Sequence, residues 1–327
     1  MAELVDAYDS KSYGAIHGSS ILPPGTTKQD YSYMKQRVIV ILGPTASGKS
    51  DLAVRIAKEI NGEVISADSR QVYRGLNIGT GKITNEEMRG VKHYLLDVAD
   101  PQDRFTVTQF RKLATEAVTE IIKHNKAPIL CGGTGFYIDS FINNTNLPEV
   151  EANEELRASL KKKNVDELFQ LLKSLNINRA ETMNESDRKN ARRLIRAIEI
   201  ESGEKTHETT TQSEFIFEPV FIGINPPKEI LHQRIHDRLI KRLNEGMLNE
   251  AIDLHNRGLS FERMEELGLE YRYMARHLQN KLTLEQMIAE LEMEIKHYAK
   301  RQMTWFKRNK AISWYKNAED VIFEDQP

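Results

Sequence analysis

The chain has 327 residues, 39% of them hydrophobic and 29% charged, with a formal net charge of −2. That length buries a sizeable core in one large domain or two smaller ones, the balance is that of a soluble globular protein, and any polyanion has to be met by local cationic clusters. The lone cysteine, Cys131, excludes a disulfide framework or a cysteine zinc site within one chain and points to a reducing, cytoplasmic compartment; no membrane segment or signal peptide is expected.

Residues 1–34 stand apart. The stretch 18–26 is turn-rich without an amphipathic period, which predicts disorder. A sharper reading is that it is spurious. Ser19-Ser20-Ile21-Leu22 can be encoded by AGT TCG ATT CTC, which contains the T-loop consensus of tRNA genes. Residues 7–13 can be encoded by a stem and its complement. The true start would then be Met34, and a genuine flexible tail is the alternative.

From 37 onward the pattern is α/β. Apolar runs at 38–42, 63–66, 94–98 and 128–131 read as buried parallel strands. Helices are expected at 50–60 and 108–124. This alternation predicts a doubly wound parallel sheet with ligands at the carboxyl ends of its strands. Across 143–210 the strand signals vanish, and charged helices at 151–163, 165–175 and 187–202 predict an all-helical insertion domain. A strand at 220–224, long helices at 227–257 and 283–309, and a last strand at 312–315 complete the chain. The expected organisation is 1–34 disordered or spurious, 35–142 first part of the core, 143–210 insertion, and 211–327 second part of the core.

Gly43-Pro44-Thr45-Ala46-Ser47-Gly48-Lys49-Ser50 fits the P-loop pattern between a strand and a helix. Its glycines let backbone N–H groups converge on phosphate oxygens, aided by the helix N-terminus. Lys49 adds a compact positive charge, and the Ser50 hydroxyl is the expected ligand for Mg²⁺. The loop alone leaves open whether the ligand is ATP, GTP or another diphosphate. Two basic clusters stand out: Arg188, Lys189, Arg192, Arg193 and Arg196, whose spacing puts several on one helical face, and Lys296, Lys300, Arg301, Lys307, Arg308 and Lys310. A solvated face is the alternative for either. Trp305 and Phe306 read as core, His93 as structural and Cys131 as inert.

The P-loop is followed by Ile65-Ser66-Ala67-Asp68-Ser69-Arg70-Gln71-Val72-Tyr73-Arg74 and Asn77-Ile78-Gly79-Thr80-Gly81-Lys82. Then come His93-Tyr94-Leu95-Leu96-Asp97, Asp100-Pro101, Phe105, Phe110, Gly132-Gly133-Thr134 and Tyr137. Arg192-Arg193-Leu194-Ile195-Arg196-Ala197-Ile198-Glu199 and Lys300-Arg301-Gln302-Met303-Thr304-Trp305-Phe306 complete the series. This ordered set, over about 37–310, resembles the tRNA dimethylallyltransferase family. One departure is Leu267-Gly268-Leu269-Glu270-Tyr271-Arg272-Tyr273, where the family usually has isoleucine-glycine-tyrosine. Another is Arg188 and Ala191, near which the family commonly has proline.

The resemblance implies a donor, dimethylallyl diphosphate, and an acceptor adenosine next to the anticodon of tRNA; a monomer is the expectation, though the sequence itself does not fix the oligomeric state. It places Thr134 and an arginine of the Arg234/Arg238 helix, Arg234 first, near the diphosphate. It makes Asp68 the general base at the adenine N6; a second-shell Mg²⁺ ligand is the alternative. Asp68, Ser69, Arg70, Gln71 and Thr134, with Arg192, Arg193 and Arg196 of the insertion, are the expected tRNA contacts. For Arg70 a solvated charge is the alternative. The target base has to leave its stack to be reached. Three rivals stay open: a nucleoside or nucleotide kinase, an adenylate isopentenyltransferase using free AMP or ATP, and a P-loop RNA-binding module.

Overall fold

The computed structural model describes residues 35–145, 150, 152–203 and 216–323. They form two compact units, one from 35–145 and 216–323, the other from 150 and 152–203. The segment expected to be disordered or spurious lies outside the described residues.

The larger unit is built on strands β1 (Lys35–Leu42), β2 (Gly62–Ser66), β3 (His93–Tyr94), β4 (Ala127–Gly132), β5 (Ile216–Ile224) and β6 (Ser313–Tyr315). They form one sheet in the order β3-β2-β4-β1-β5-β6, every pair parallel. β1 shows why the stretch 38–42 is apolar without alternation. Val38, Val40 and Leu42 join a core with α3 (Val107–Lys123) and α4 (Gly135–Ile142), whereas Ile39 and Ile41 join one with α1 (Lys49–Glu59). A strand covered on both faces loses the polar half of its alternation. A third core gathers α10 (Lys228–Asn244), α11 (Met247–Asn256), α12 (Phe261–Leu267), α13 (Leu269–Leu278) and α14 (Leu284–Phe306) around Tyr271, Met274 and Met287.

Three expectations are corrected. The strand expected at 94–98 ends at Tyr94, because Leu95 and Asp97 take positive φ values of 63° and 57°, which no extended strand accommodates. The single helix expected at 227–257 is two, broken at Glu245-Gly246, where Gly246 has φ 97°. Helices α12 and α13, joined at Gly268, fill a stretch where no element was expected.

In the smaller unit α5 (Glu154–Leu160), α6 (Val165–Leu175), α7 (Ile177–Thr182), α8 (Glu185–Arg188) and α9 (Ala191–Ser202) enclose Leu160, Leu168, Leu172, Leu194 and Ile198. The helix expected at 151–163 is shortened to α5, and the one expected at 187–202 is divided between α8 and α9. Asn153, Asn164, Asn176, Asn184 and Asn190 each accept a backbone N–H three residues on and start a new helix. The basic cluster 188–196 is therefore split between α8 and α9. The carboxylate of Glu199, 1% exposed, accepts from Arg157 (2.8 Å), Arg196 and the Asn153 amide (2.7 Å).

Candidate active site

β2, β4 and β1 are neighbours in the sheet, so their carboxyl ends deliver three loops to one place. The P-loop follows β1, Asp68 follows β2, and Gly133-Thr134 follow β4. A cavity of about 300 Å³ opens there.

The loop's backbone turns through Gly43, Ala46 and Gly48, at φ 156°, 61° and 91°. At Gly43 a Cβ would overlap the Ile224 carbonyl of β5, which accounts for a glycine there. Thr45, Lys49 and Ser50 line the cavity. Gly43, Pro44, Ala46, Ser47 and Gly48 shape the loop behind them, and the buried Ser47 hydroxyl has no hydrogen-bond partner among the described residues. Lys49 Nζ donates to the Pro44 carbonyl at 3.2 Å. Burial pushes its ammonium below the usual lysine range, Arg238 adds to that, and Cys131 and Asp68 oppose it.

Five cations line the cavity, Lys49, Arg70, Arg238, Arg272 and Arg301, against two carboxylates, Asp68 and Glu270. That excess selects an anionic ligand. Asp68 Oδ1 accepts from the Arg70 amide (2.8 Å) and the Gln71 amide (3.3 Å), which fixes the carboxyl plane. Its Oδ2 has no hydrogen-bond partner among the described residues and is available to a ligand. Ser69, Arg70 and Gln71 also line the cavity. The Ser69 amide donates to Thr134 Oγ1 at 3.1 Å, so Thr134 braces the turn that carries Asp68.

The two α10 arginines divide. Arg234 lies behind the loop with Nη1 3.5 Å from the Ser47 carbonyl, and Arg238, one turn on, lines the cavity. Arg192, Arg193 and Arg196 belong to the smaller unit. Arg193 pairs with Asp187, and Arg196 is held by Glu199 and the Val150 carbonyl. Arg192 is exposed with no ion pair among the described residues. In the second basic cluster Lys296 pairs with Glu292 (2.5 Å), and Arg308 lies over the ring of the half-buried Trp305. His93 Nδ1 bonds the Val91 carbonyl (2.9 Å), and Cys131 is buried.

Sequence reasoning gave no role to Gln302 or Tyr298 of α14 or to the corner between α12 and α13. Gln302 accepts from the Thr45 amide and donates to the Gly133 carbonyl, both at 2.9 Å, joining the P-loop to the β4 loop. Tyr298, one turn earlier, lines the cavity. Gly268, Leu269, Glu270 and Arg272 line the opposite wall. The signals were the lysine-arginine-glutamine block and the departure at 267–273.

Fold and site together define a P-loop enzyme that works on an anionic ligand. A family model described as IPP transferase matches residues 71–309, and the chain belongs to that family. It is 43% identical to tRNA dimethylallyltransferase 2 of Treponema denticola, over 84% of this chain and 92% of that one. It is 39% identical to the tRNA dimethylallyltransferase of Pediococcus pentosaceus, over 89% and 93%. Among solved structures it resembles a full-length tRNA isopentenylpyrophosphate transferase from Bacillus halodurans, with TM-score 0.65, 37% identity and coverage of 88% and 92%. It also resembles a eukaryotic dimethylallyltransferase acting on tRNA, with TM-score 0.71, 26% identity and coverage of 88% and 75%.

Proposed function

We propose that this chain transfers a dimethylallyl group from dimethylallyl diphosphate to the N6 amine of an adenosine next to the anticodon of tRNA, releasing diphosphate. The observation that carries the reading is that Lys49 and Asp68 line one cavity, a phosphate-binding cation opposite a carboxylate with an available oxygen. The bond from the allylic carbon to the diphosphate oxygen breaks, and its electron pair leaves with the diphosphate. The N6–carbon bond forms, and Asp68 takes the N6 proton. Lys49 and Arg238 offset the charge that builds on the leaving group, a contribution of several kcal/mol in sites of this kind. Thr134 acts by holding the Ser69 amide, and Arg234 by holding the P-loop from behind.

The donor set fits Mg²⁺. The cavity offers the Ser50 hydroxyl, and no group of three acidic, histidine or cysteine side chains is assembled among the described residues. That suits an ion held chiefly by phosphate oxygens and water. Bound at Ser50, it supplies charge neutralisation to the leaving diphosphate.

Ser69, Arg70 and Gln71 read the extruded base and its neighbours, and Arg192 is the insertion arginine best placed to meet RNA phosphate. Arg193 and Arg196 would first have to release carboxylates. A nucleotide kinase leaves the names of the relatives without explanation. No described helix is long and apolar enough to cross a membrane.

The test offers labelled dimethylallyl diphosphate to unmodified tRNA, ATP and AMP in parallel. Label in tRNA alone is expected. Label in AMP or ATP instead selects the free-nucleotide enzyme, and tRNA binding without label selects an RNA-binding module.

A further inference from the structure

We infer that Glu250 is a positioning residue for Arg238, and through it for the diphosphate end of the cavity. The reading of Arg238 as a diphosphate ligand rests on the proposed function.

Glu250, on α11, places one carboxylate on four donors. Oε2 accepts from the Asn77 amide (2.9 Å) and the Ile78 amide (2.7 Å). Oε1 accepts from the Gly79 amide (2.9 Å) and from the hydroxyl of the buried Tyr271 (2.6 Å). Three successive backbone N–H groups converging on one anion is how loops grip phosphate. Here the anion is a side chain of the same molecule, and it forms no ion pair among the described residues. A carboxylate is spent on ordering a loop.

The other side of that loop faces the cavity. The Gly81 carbonyl accepts from Arg238 Nη2 (2.9 Å) and Gln71 Nε2 (3.2 Å), and the Gly79 carbonyl from Arg242 Nη1 (2.8 Å). Arg238 and Gln71 both line the cavity. Arg242 has a second anchor in Glu270 at 3.3 Å. Arg238 has no carboxylate at ion-pair distance among the described residues, so the Gly81 carbonyl is its hold. Gly81 has φ 58°, and a Cβ there would overlap the Arg238 guanidinium; the backbone is pressed directly on the cation. Loop 77–81 is a strut with Glu250 at one end and Arg238 at the other.

A plain fold anchor and a positioning residue differ in what a mutant cycle reads. Calorimetry with inorganic diphosphate and Mg²⁺ on wild type, Glu250→Gln, Arg238→Ala and the double variant gives the affinities. The KM values for donor and tRNA follow in the same preparations. Glu250→Gln keeps the size but turns an amide toward four donors. It is expected to weaken diphosphate about tenfold, as misplacing a charged contact does. The donor KM should rise by more than the tRNA KM, which this loop reaches only through Gln71 on the same carbonyl. In the Arg238→Ala background the same change should add less than about twofold. Equal losses in both backgrounds, or a Glu250→Gln affinity equal to wild type, overturn the inference. If Glu250→Gln does not fold, Tyr271→Phe removes one donor of the four and carries the same cycle with a smaller loss. Normal diphosphate binding with no label reaching tRNA would sink the proposed function and leave this cycle readable.

Discussion

Replacing Gln302 by leucine tests whether α14 holds the two loops of the cavity in place. Gln302 is 6% exposed and makes two 2.9 Å hydrogen bonds, to the Thr45 amide and the Gly133 carbonyl. Leucine keeps most of the volume and leaves both groups unmet. A buried polar group without a partner costs about 1–3 kcal/mol, so the pair costs about 2–6 kcal/mol. Thr45 lines the cavity, where water reaches it, so the lower figure of about 2 kcal/mol applies. For a domain of this size that lowers the melting temperature by about 4–8 °C. Differential scanning calorimetry without ligand measures it, and the donor KM measures the effect on the P-loop. Gln302→Glu separates the parts. It still accepts from Thr45 but sets a carboxylate against the Gly133 carbonyl and near the diphosphate, so its donor KM should rise further than the leucine variant's. A leucine variant with wild-type melting temperature and wild-type donor KM would refute the clamp.

Other outcomes follow from the same geometry. Asp68→Asn keeps the Oδ1 acceptor for Arg70 and Gln71, so turnover should fall at least about a hundredfold while tRNA affinity holds; equal losses in both speak against the base. Lys49 is held below its ordinary value by burial, and diphosphate needs its charged form. Donor affinity should therefore fall as pH rises through that lowered value, earlier than for a free lysine. The ligand-free protein should behave oppositely, because the unfolded chain holds the Lys49 proton to higher pH and so loses ground as pH rises. Diphosphate titrations and melts across an alkaline pH series test the two signs. Burial pushes the Cys131 thiol up to about 12 from an ordinary value of 9.0. Its thiolate at pH 8 is then about a thousandfold scarcer than in the unfolded chain, and iodoacetamide should label it only after denaturation. Arg192→Ala should reduce the salt slope of tRNA binding by about one, with sequence preference unchanged.

Much of this was legible in the sequence because the chemistry is local. The P-loop needs particular φ values at fixed spacing, and Asp68 follows a strand whose neighbours are apolar. What was hidden depends on distant partners or on single backbone angles. Gln302 lies 257 positions from Thr45, and Glu250 lies 171 from Gly79, so neither bond leaves a local trace. The strand at 94–98 looks continuous in apolar residues, but positive φ at Leu95 and Asp97 ends it. A run of positive residues shows charge without showing which acids quench it. Arg193 and Arg196 carry the same charge as Arg192, yet Asp187 and Glu199 hold them. Arg238 rather than Arg234 reaches the cavity because the helix is anchored at the Gly81 carbonyl, a fact of tertiary packing.

The strand order has its own consequence. β4 separates β1 from β2, so the phosphate cradle and the Asp68 carboxylate emerge two inter-strand steps apart, about 10 Å. The sheet thereby works as a gauge whose graduations are backbone hydrogen bonds. On the proposed function, a reacting pair fits only if leaving group, carbon and nitrogen together fill that interval. Discrimination by reach is thus built into the pleated scaffold itself, where no single side-chain substitution can reset it.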